Sequence, residues 1–148
     1  MRNRIMKTLN EIEGSKPKST FRAKSKKRVL VVDDDAVIRD ILYEGLSKMG
    51  FEVATAAGGA EAFQRFCQTS FDLVVTDCRM PGTDGWQLAA LIKGVSAHTP
   101  IIMLTGQSKD QLMDNMQGGD VDFLMFKPVE LTRLYEAILD SFEISNPR

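Results

Sequence analysis

Four apolar runs in the sequence each end in polar side chains that can do chemistry. Asp33 and Asp34 follow the run VLVV, Asp77 closes LVVTD, Thr105 closes IIMLT, and Lys127 follows FLMF. Carboxylates brought together repel one another unless a cation neutralises them. A small set of oxygen ligands suits Mg²⁺, which takes one or two carboxylates together with a phosphoryl oxygen. A lysine and a hydroxyl beside that ion can pair with the phosphoryl group, so these residue types indicate phosphoryl transfer.

These side chains can meet only if the segment from Arg28 onward folds as its patterns predict. Five strand-like runs are each followed by a stretch with helical spacing, and the runs read VLVV, FEVATA, FDLVVTD, PIIMLTG and VDFLMFK. This alternation predicts an α/β fold, with a five-stranded, doubly wound parallel sheet covered by helices on both faces. In such sheets ligands bind at the carboxyl ends of the strands, where the polar residues lie.

Other polar residues near these strand ends have structural interpretations. Asp35 is interpreted as the N-cap of the first helix and is excluded from the site. Asp84 is interpreted as a residue that shapes the PGTDG turn. Ser108 and Gln111, three residues apart, form a capping box that predicts the start of the fourth helix.

Charge divides the chain of 148 residues into two parts. Residues 1–28 hold ten Lys or Arg and two Glu, a net charge of +8, whereas residues 29–148 hold nine Lys or Arg and eighteen Asp or Glu, a net charge of −9. We therefore predict a basic, flexible arm over 1–26, a globular domain over 27–143 and a short tail over 144–148. The arm is interpreted as a solubilising tail in preference to a tether for an anionic partner, and a short helix over 3–13 is a weaker expectation.

Composition excludes several classes of function. No apolar run approaches the roughly 20 residues that a membrane span needs. The acidic domain is not expected to bind nucleic acid directly. Cys67 and Cys78 form neither a metal-binding pattern nor a disulfide framework, which favours a reducing, cytoplasmic compartment.

Four motifs in order carry a resemblance to a known family. VVDDDAVIR, LVVTDCRMPGTDGWQL, PIIMLTG and FKPVEL, spread over residues 27–143, resemble the receiver domains of two-component signalling. The resemblance implies a flavodoxin-like fold and a magnesium-dependent site. In that site Asp77 would be the nucleophile that attacks a phosphohistidine. Asp34 and Asp77 would bind Mg²⁺ through their side chains, with the backbone carbonyl of Arg79 as a third ligand and Asp33 holding the water shell.

The resemblance also assigns roles to the last two strand ends. Lys127 would pair with the phosphoryl oxygens, and its peptide bond to Pro128 would be cis. Thr105 would move to donate a hydrogen bond to the new phosphate, while the small Gly106 leaves the site open to the donor.

One position departs from the family pattern. Receiver domains usually carry Tyr or Phe three residues before the lysine, as the rotating partner of the threonine, but here that position is Leu124. A bulge in the fifth strand could bring Phe123 to the switch position instead. We slightly favour the bulge; without it, the aromatic half of the switch is missing.

His98 and Cys78 carry reactive side chains, but the sequence does not favour a chemical role for either. His98 precedes the fourth strand without a second ligand or base near it in sequence, so it is interpreted as solvent-facing, and the phosphate donor must come from another protein. Cys78 adjoins the nucleophile, but a reactive thiol needs an electropositive setting, so redox sensing is not favoured.

The leading hypothesis is therefore a phosphoryl-accepting response regulator. It would receive phosphate from a sensor histidine kinase or a histidine phosphotransfer protein and signal through a downstream protein target, with no output domain beyond residue 143. It would catalyse only its own phosphoryl transfer and slow autodephosphorylation. A small aspartyl phosphatase is the enzymatic alternative, but the general acid expected two residues after the nucleophile is replaced by Arg79. A degenerate receiver that only binds partners is the third hypothesis, and the complete set of site residues argues against it.

Overall fold

A computed structural model describes residues 25–115 and 119–145, and the chain from Arg28 onward forms five strands and five helices. In chain order they are β1 (Arg28–Val32), α1 (Ala36–Lys48), β2 (Glu52–Ala56), α2 (Gly59–Gln68), β3 (Leu73–Asp77), α3 (Gly85–Val95), β4 (Ile101–Thr105), α4 (Lys109–Asn115), β5 (Phe123–Phe126) and α5 (Leu131–Ser145). Nearly all of the predicted basic arm, including the possible helix over 3–13, lies outside the described residues. Helix α5 continues two residues past the boundary expected from the sequence.

The strands form one parallel sheet, as the sequence predicts, and their order is β2-β1-β3-β4-β5. The chain order reverses at β1, whose two neighbours are β2 and β3. The connection after β1 leads to β2 on one side, and the connection after β3 leads to β4 on the other side. A crevice is therefore left between them at the carboxyl ends of β1 and β3. The crevice lies between the end of β1 and the end of β3, which are joined by the register pair Val32 and Thr76.

Alternating side chains of the strands enter two separate apolar layers. One layer packs beneath α1 and α5, and its strand residues include Val31, Val75 and Leu104. The opposite layer packs beneath α2 and α3, and its strand residues include Leu30 and Val74. Strands buried on both faces need apolar residues at every position, which explains why the sequence shows unbroken apolar runs. No helix in the described part of the chain is long and apolar enough to cross a membrane.

The fifth strand is regular, so the bulge favoured from the sequence is absent. Four consecutive pairs join β4 to β5, from Ile102 with Phe123 to Thr105 with Phe126. Phe123 packs against the layer beneath α1 and α5. Leu124 packs on the other face, in a small cluster with Cys78, Trp86, Met103 and Leu112. The expectation that Phe123 occupies the switch position is therefore wrong, and Leu124 stands there.

A polar contact before the strand fixes this register. The Asp122 carboxylate accepts hydrogen bonds from the backbone N–H of Ile101 at 2.8 Å and from Lys93 Nζ at 2.9 Å. The backbone N–H of Asp122 in turn donates to the Ile101 carbonyl. Two of these bonds hold Asp122 at the start of β4, and the third ties it to α3. A bulge in β5 would have to break this arrangement or the ladder beyond it.

Helix starts follow the predicted caps. The Asp35 side chain accepts a hydrogen bond from Val37 N and caps α1, which confirms that interpretation. Asp84 forms a capping box with Gln87 at the start of α3. Asp84, which the sequence assigned to the turn, therefore also fixes the start of α3.

Candidate functional site

Three carboxylates meet in the crevice between β1 and β3. Each of Asp33, Asp34 and Asp77 offers one oxygen, and these three atoms lie within 4.8 Å of one another. Asp33 is 1% exposed and Asp77 9% exposed, whereas Asp34 is open to solvent. The fold therefore brings together the three acids that the sequence singled out.

Asp33 is held rigidly by the loop that follows β1. Its Oδ1 accepts the backbone N–H of Asp35 at 2.9 Å, and its own N–H donates to the carbonyl of Ala56. The Arg39 guanidinium donates to the Asp33 carbonyl at 2.7 Å. These bonds hold a buried carboxylate in one orientation.

Lys127 reaches across the crevice from the end of β5. Its Nζ lies 3.1 Å from Asp33 Oδ2 and 3.1 Å from Asp77 Oδ1. Its backbone N–H donates to the Thr105 carbonyl, and its peptide bond to Pro128 is cis, as the resemblance implied. Burial lowers the pKa of the ammonium, but the bonds to the two carboxylates outweigh burial and raise the pKa overall. The lysine is therefore a permanent cation beside Asp77.

The Asp77 carboxylate is destabilised in its charged form. Burial is the largest cause that raises its pKa, and the nearby charge of Asp33 raises it further. Lys127 and the backbone N–H of Cys78, which donates to Oδ1 at 2.9 Å, offset only part of this. Three carboxylates and one ammonium leave the cluster with a net charge of −2.

The start of α3 can lie close to the end of β3 because residue 85 is a glycine. A Cβ on Gly85 would collide with the Asp77 carbonyl oxygen and lie 3.1 Å from Cys78 Cα. The Gly85 N–H donates to the Cys78 carbonyl at 2.9 Å and closes the loop. Arg79 lies in this loop, two residues after Asp77, with its side chain exposed.

Thr105 lies at the same edge of the sheet but does not hydrogen-bond Asp77. The β3–β4 register pairs Asp77 with Leu104, one residue before the threonine. Thr105 is fully buried, and its Oγ1 accepts the backbone N–H of Gln107 at 3.0 Å. Sequence reasoning missed Gln107, whose only signal was its place two residues after the threonine.

The thiol and the imidazole occupy the positions expected of residues without a chemical role. Burial is the largest cause that raises the pKa of the Cys78 thiol, so it stays protonated and is a poor nucleophile. His98 lies in the loop before β4, at the amino edge of the sheet, and its side chain is exposed. The sheet separates it from the carboxylates.

The chemistry of the donor set fits a divalent magnesium ion. The three oxygens are hard ligands, they are close together, and their net negative charge is only partly neutralised by Lys127. Burial and, after it, the charge of Asp33 raise the pKa of Asp77, so its carboxylate gains from a nearby cation. No thiolate or imidazole approaches the cluster among the residues the structure describes, so softer metals have no preferred ligand here.

Comparison with known proteins gives a consistent result. Residues 29–139 match the family model described as the response regulator receiver domain. The chain is 39% identical over 113 residues to the chemotaxis protein CheY of Bacillus subtilis, covering 75% of this chain and 93% of that protein. It is also 39% identical over 121 residues to the transcriptional regulatory protein GlrR of Escherichia coli, covering 80% of this chain but only 27% of that protein. The chain thus spans about a quarter of the length of GlrR and of similar regulators.

Two solved structures share the fold of this chain over nearly their whole length. The response regulator TrrA of Thermotoga maritima, in complex with Mg²⁺ and BeF, superposes with a TM-score of 0.72 at 34% identity, covering 78% of this chain and 98% of that one. CheY4 of Vibrio cholerae superposes with a TM-score of 0.73 at 28% identity, covering 79% and 99%.

Proposed function

The chain belongs to the response regulator receiver domain family of two-component signalling, and on that premise we propose that Asp77 is its phosphoacceptor. In this proposal Asp77 takes a phosphoryl group from a phosphohistidine with the help of Mg²⁺ and Lys127. The phosphorylated form is then read by a protein partner.

The hydrogen bonds to its carboxylate support the choice of Asp77 as the phosphoacceptor. Among the described residues, both hydrogen bonds to its carboxylate go to Oδ1, one from Lys127 and one from the N–H of Cys78. Oδ2 is left as the atom that can attack. By contrast, Asp33 uses both oxygens, Oδ1 for the N–H of Asp35 and Oδ2 for Lys127. Asp34 is exposed and lacks the lysine.

The reaction follows from that geometry. Asp77 Oδ2 attacks the phosphorus of the donor's phosphohistidine, the phosphorus–nitrogen bond breaks, and the imidazole nitrogen leaves with its electron pair and takes up a proton. Lys127, 3.1 Å from Oδ1, is close enough to pair with the incoming phosphoryl oxygens as their charge develops. Asp77 needs no deprotonation by a separate base at neutral pH, because a carboxylate is already a nucleophile.

Mg²⁺ would be held by Asp34 and Asp77 directly, by Asp33 through water and by the backbone carbonyl of Arg79. When bound, it neutralises phosphoryl charge and orients the transferred group. The hydrogen bonds support this division, because both oxygens of Asp33 are already bonded, to the N–H of Asp35 and to Lys127, whereas Asp77 Oδ2 is not and Asp34 is open to solvent.

The phosphate donor is proposed to be a sensor histidine kinase or a histidine phosphotransfer protein. His98 is this chain's single histidine and lies at the opposite edge of the sheet, which supports a donor in trans. The protein would catalyse only its own transfer and slow autodephosphorylation, because Arg79 stands where a phosphatase would need a general acid. The domain's net negative charge disfavours direct nucleic-acid binding, and the free thiols Cys67 and Cys78 support a reducing compartment such as the cytoplasm.

The test is phosphorylation of the full chain by acetyl phosphate and Mg²⁺, followed by intact mass measurement and peptide mapping. We expect one phosphoryl group per chain, located on Asp77 and absent from the Asp77→Asn variant. Asp84→Asn is the matched control, since asparagine caps a helix as well as aspartate does, and it should label like wild type. Stoichiometric labelling of Asp33 or Asp34 in Asp77→Asn would show that the assignment is wrong.

A further inference from the structure

A line of three side chains connects the residue after the phosphoacceptor to the end of β4. Cys78 Sγ lies 3.5 Å from Gln107 Oε1, and the backbone N–H of Gln107 donates to Thr105 Oγ1 at 3.0 Å. Gln107 therefore makes two contacts at once, one to the thiol and one to the threonine. Cys78 is itself tied to Asp77 through its backbone N–H.

The direction of the sulfur contact is fixed by the amide oxygen. Cys78 is 1% exposed, and its Sγ faces an oxygen that has no hydrogen to donate. An amide oxygen can only accept, so the S–H group donates to Gln107 Oε1. Such a bond is weak, but its sulfur end is buried in the cluster with Trp86 and Met103, and the Gln107 end is half-buried.

From these contacts we propose that the Cys78–Gln107 hydrogen bond is a positioning contact that holds Thr105 in its unphosphorylated orientation and so opposes the change that follows phosphorylation. Gln107, pinned by the thiol, keeps its backbone N–H on Thr105 Oγ1. The inference rests on the proposed function, because it assumes that Thr105 turns towards a phosphoryl group on Asp77.

The release of this contact has a defined path through the loop. If Thr105 turns its hydroxyl towards a phosphoryl oxygen, its Oγ1 changes position, and the Gln107 loop must move with it to keep the bond from the N–H of Gln107. Gly106 between them is exposed, and a Cβ there would meet nothing within 4 Å, so the backbone has room to turn. The thiol bond is then stretched or lost. Removing it beforehand should make the phosphorylated conformation easier to reach.

The experiment is a beryllofluoride titration of the full chain in Mg²⁺, followed by the fluorescence of Trp86. This residue is the single tryptophan and packs against Cys78. The midpoint of the titration is the observable, because a substitution near the indole can change the amplitude alone. The variants are Cys78→Ala, Gln107→Ala, the double variant Cys78→Ala/Gln107→Ala, and Cys78→Ser, which restores a donor. Cys67→Ala, at an exposed cysteine on α2, is the matched control.

Each single alanine variant should bind beryllofluoride about two- to fivefold more tightly than wild type, as expected for one weak hydrogen bond. The double variant should gain no more than either single variant, because both remove the same bond. Cys78→Ser and Cys67→Ala should stay near the wild-type midpoint. A contact with only a structural role would lower the melting temperature without tightening binding.

The outcomes separate this inference from the proposed function. A wild-type protein that shows no midpoint, together with an unresponsive Asp77→Asn variant, would overturn the proposed function itself. Wild-type binding with unchanged or weaker binding in both single variants would overturn only the positioning contact. Additive gains in the double variant, or a serine variant that behaves like alanine, would also overturn it.

Discussion

Replacing Lys127 by methionine should lower the stability of the metal-free protein by about 2–3 kcal/mol at neutral pH. Lys127 Nζ is 3.1 Å from a carboxylate oxygen of both Asp33 and Asp77, and among the residues described it is the one cation paired with a carboxylate of this cluster. Its loss changes the net charge of the cluster from −2 to −3 and leaves two largely buried carboxylates unpaired.

The size of the effect follows from burial. Removing one partner of a fully buried ion pair usually costs about 3–5 kcal/mol. The Lys127 side chain is 23% exposed, so water already screens part of the interaction and the lower value is appropriate. For a domain of this length the loss corresponds to a melting temperature about 10 °C lower. Methionine keeps most of the length of the lysine stem, so the change isolates the charge.

The assay is urea unfolding in EDTA, with two companion variants. Lys127→Met/Asp77→Asn returns the cluster to a net charge of −2 and should recover most of the lost stability. Lys48→Met, which removes an exposed lysine paired with Glu44 at 3.8 Å, should cost less than about 0.5 kcal/mol. Equal stability of Lys127→Met and wild type, or no recovery in the double variant, would refute the view that Lys127 neutralises this cluster.

The loss of stability caused by Lys127→Met should depend on pH in a direction that the pKa of Asp77 fixes. The folded-state pKa of Asp77 is raised, first by burial and then by Asp33. Its charge therefore costs stability above the folded pKa, and that cost disappears as the pH falls through the folded pKa towards the unfolded value. The difference between Lys127→Met and wild type should shrink over this acidic window. A difference that grows on acidification would contradict the assignment.

Three further substitutions probe separate parts of the site. Asp34→Ala should abolish Mg²⁺-dependent phosphorylation by acetyl phosphate and slightly raise the melting temperature in EDTA, whereas a fall of many degrees would indicate a structural role. Leu124→Ala should reduce the amide shifts that beryllofluoride induces over residues 108–112. Phe123→Ala should instead keep those shifts and cost about 2–4 kcal/mol in urea unfolding. Amide shifts that are reduced by Phe123→Ala and kept by Leu124→Ala would contradict the observed register. Gly85→Ala should cost about 1–3 kcal/mol in urea unfolding and slow phosphorylation, because its Cβ meets the Asp77 carbonyl; wild-type stability and rate would show that the loop can move away.

Much of the fold could be predicted because its signals are local and repeat along the chain. A parallel sheet buries both faces of each strand, so VLVV and IIMLT stand out as uninterrupted apolar runs. A polar residue at the end of such a run then marks the carboxyl edge of the sheet. That pattern alone places Asp33, Asp77 and Lys127 at this edge.

The details that the sequence did not reveal depend on contacts between distant segments. Leu124 and Phe123 are both apolar, and either register satisfies the pattern of the strand. The choice is made by Asp122, whose carboxylate binds Ile101 N and Lys93, a partner 29 residues away in the sequence. Likewise, nothing local to Gln107 indicates that its side chain reaches Cys78.

The charges of the site indicate why phosphorylation should depend on a divalent cation and drive a conformational change. A phosphoryl group replaces the single negative charge of Asp77 with nearly two. The cluster would then move from a net charge of −2 to about −3 without metal, and to about −1 with one divalent cation bound. Asp33 is fixed by backbone bonds and cannot move away from the added charge. The remaining response is to recruit donors, and the Thr105 hydroxyl is a candidate at the same edge of the sheet, because its oxygen accepts the N–H of Gln107 while its own hydrogen is not used by that bond.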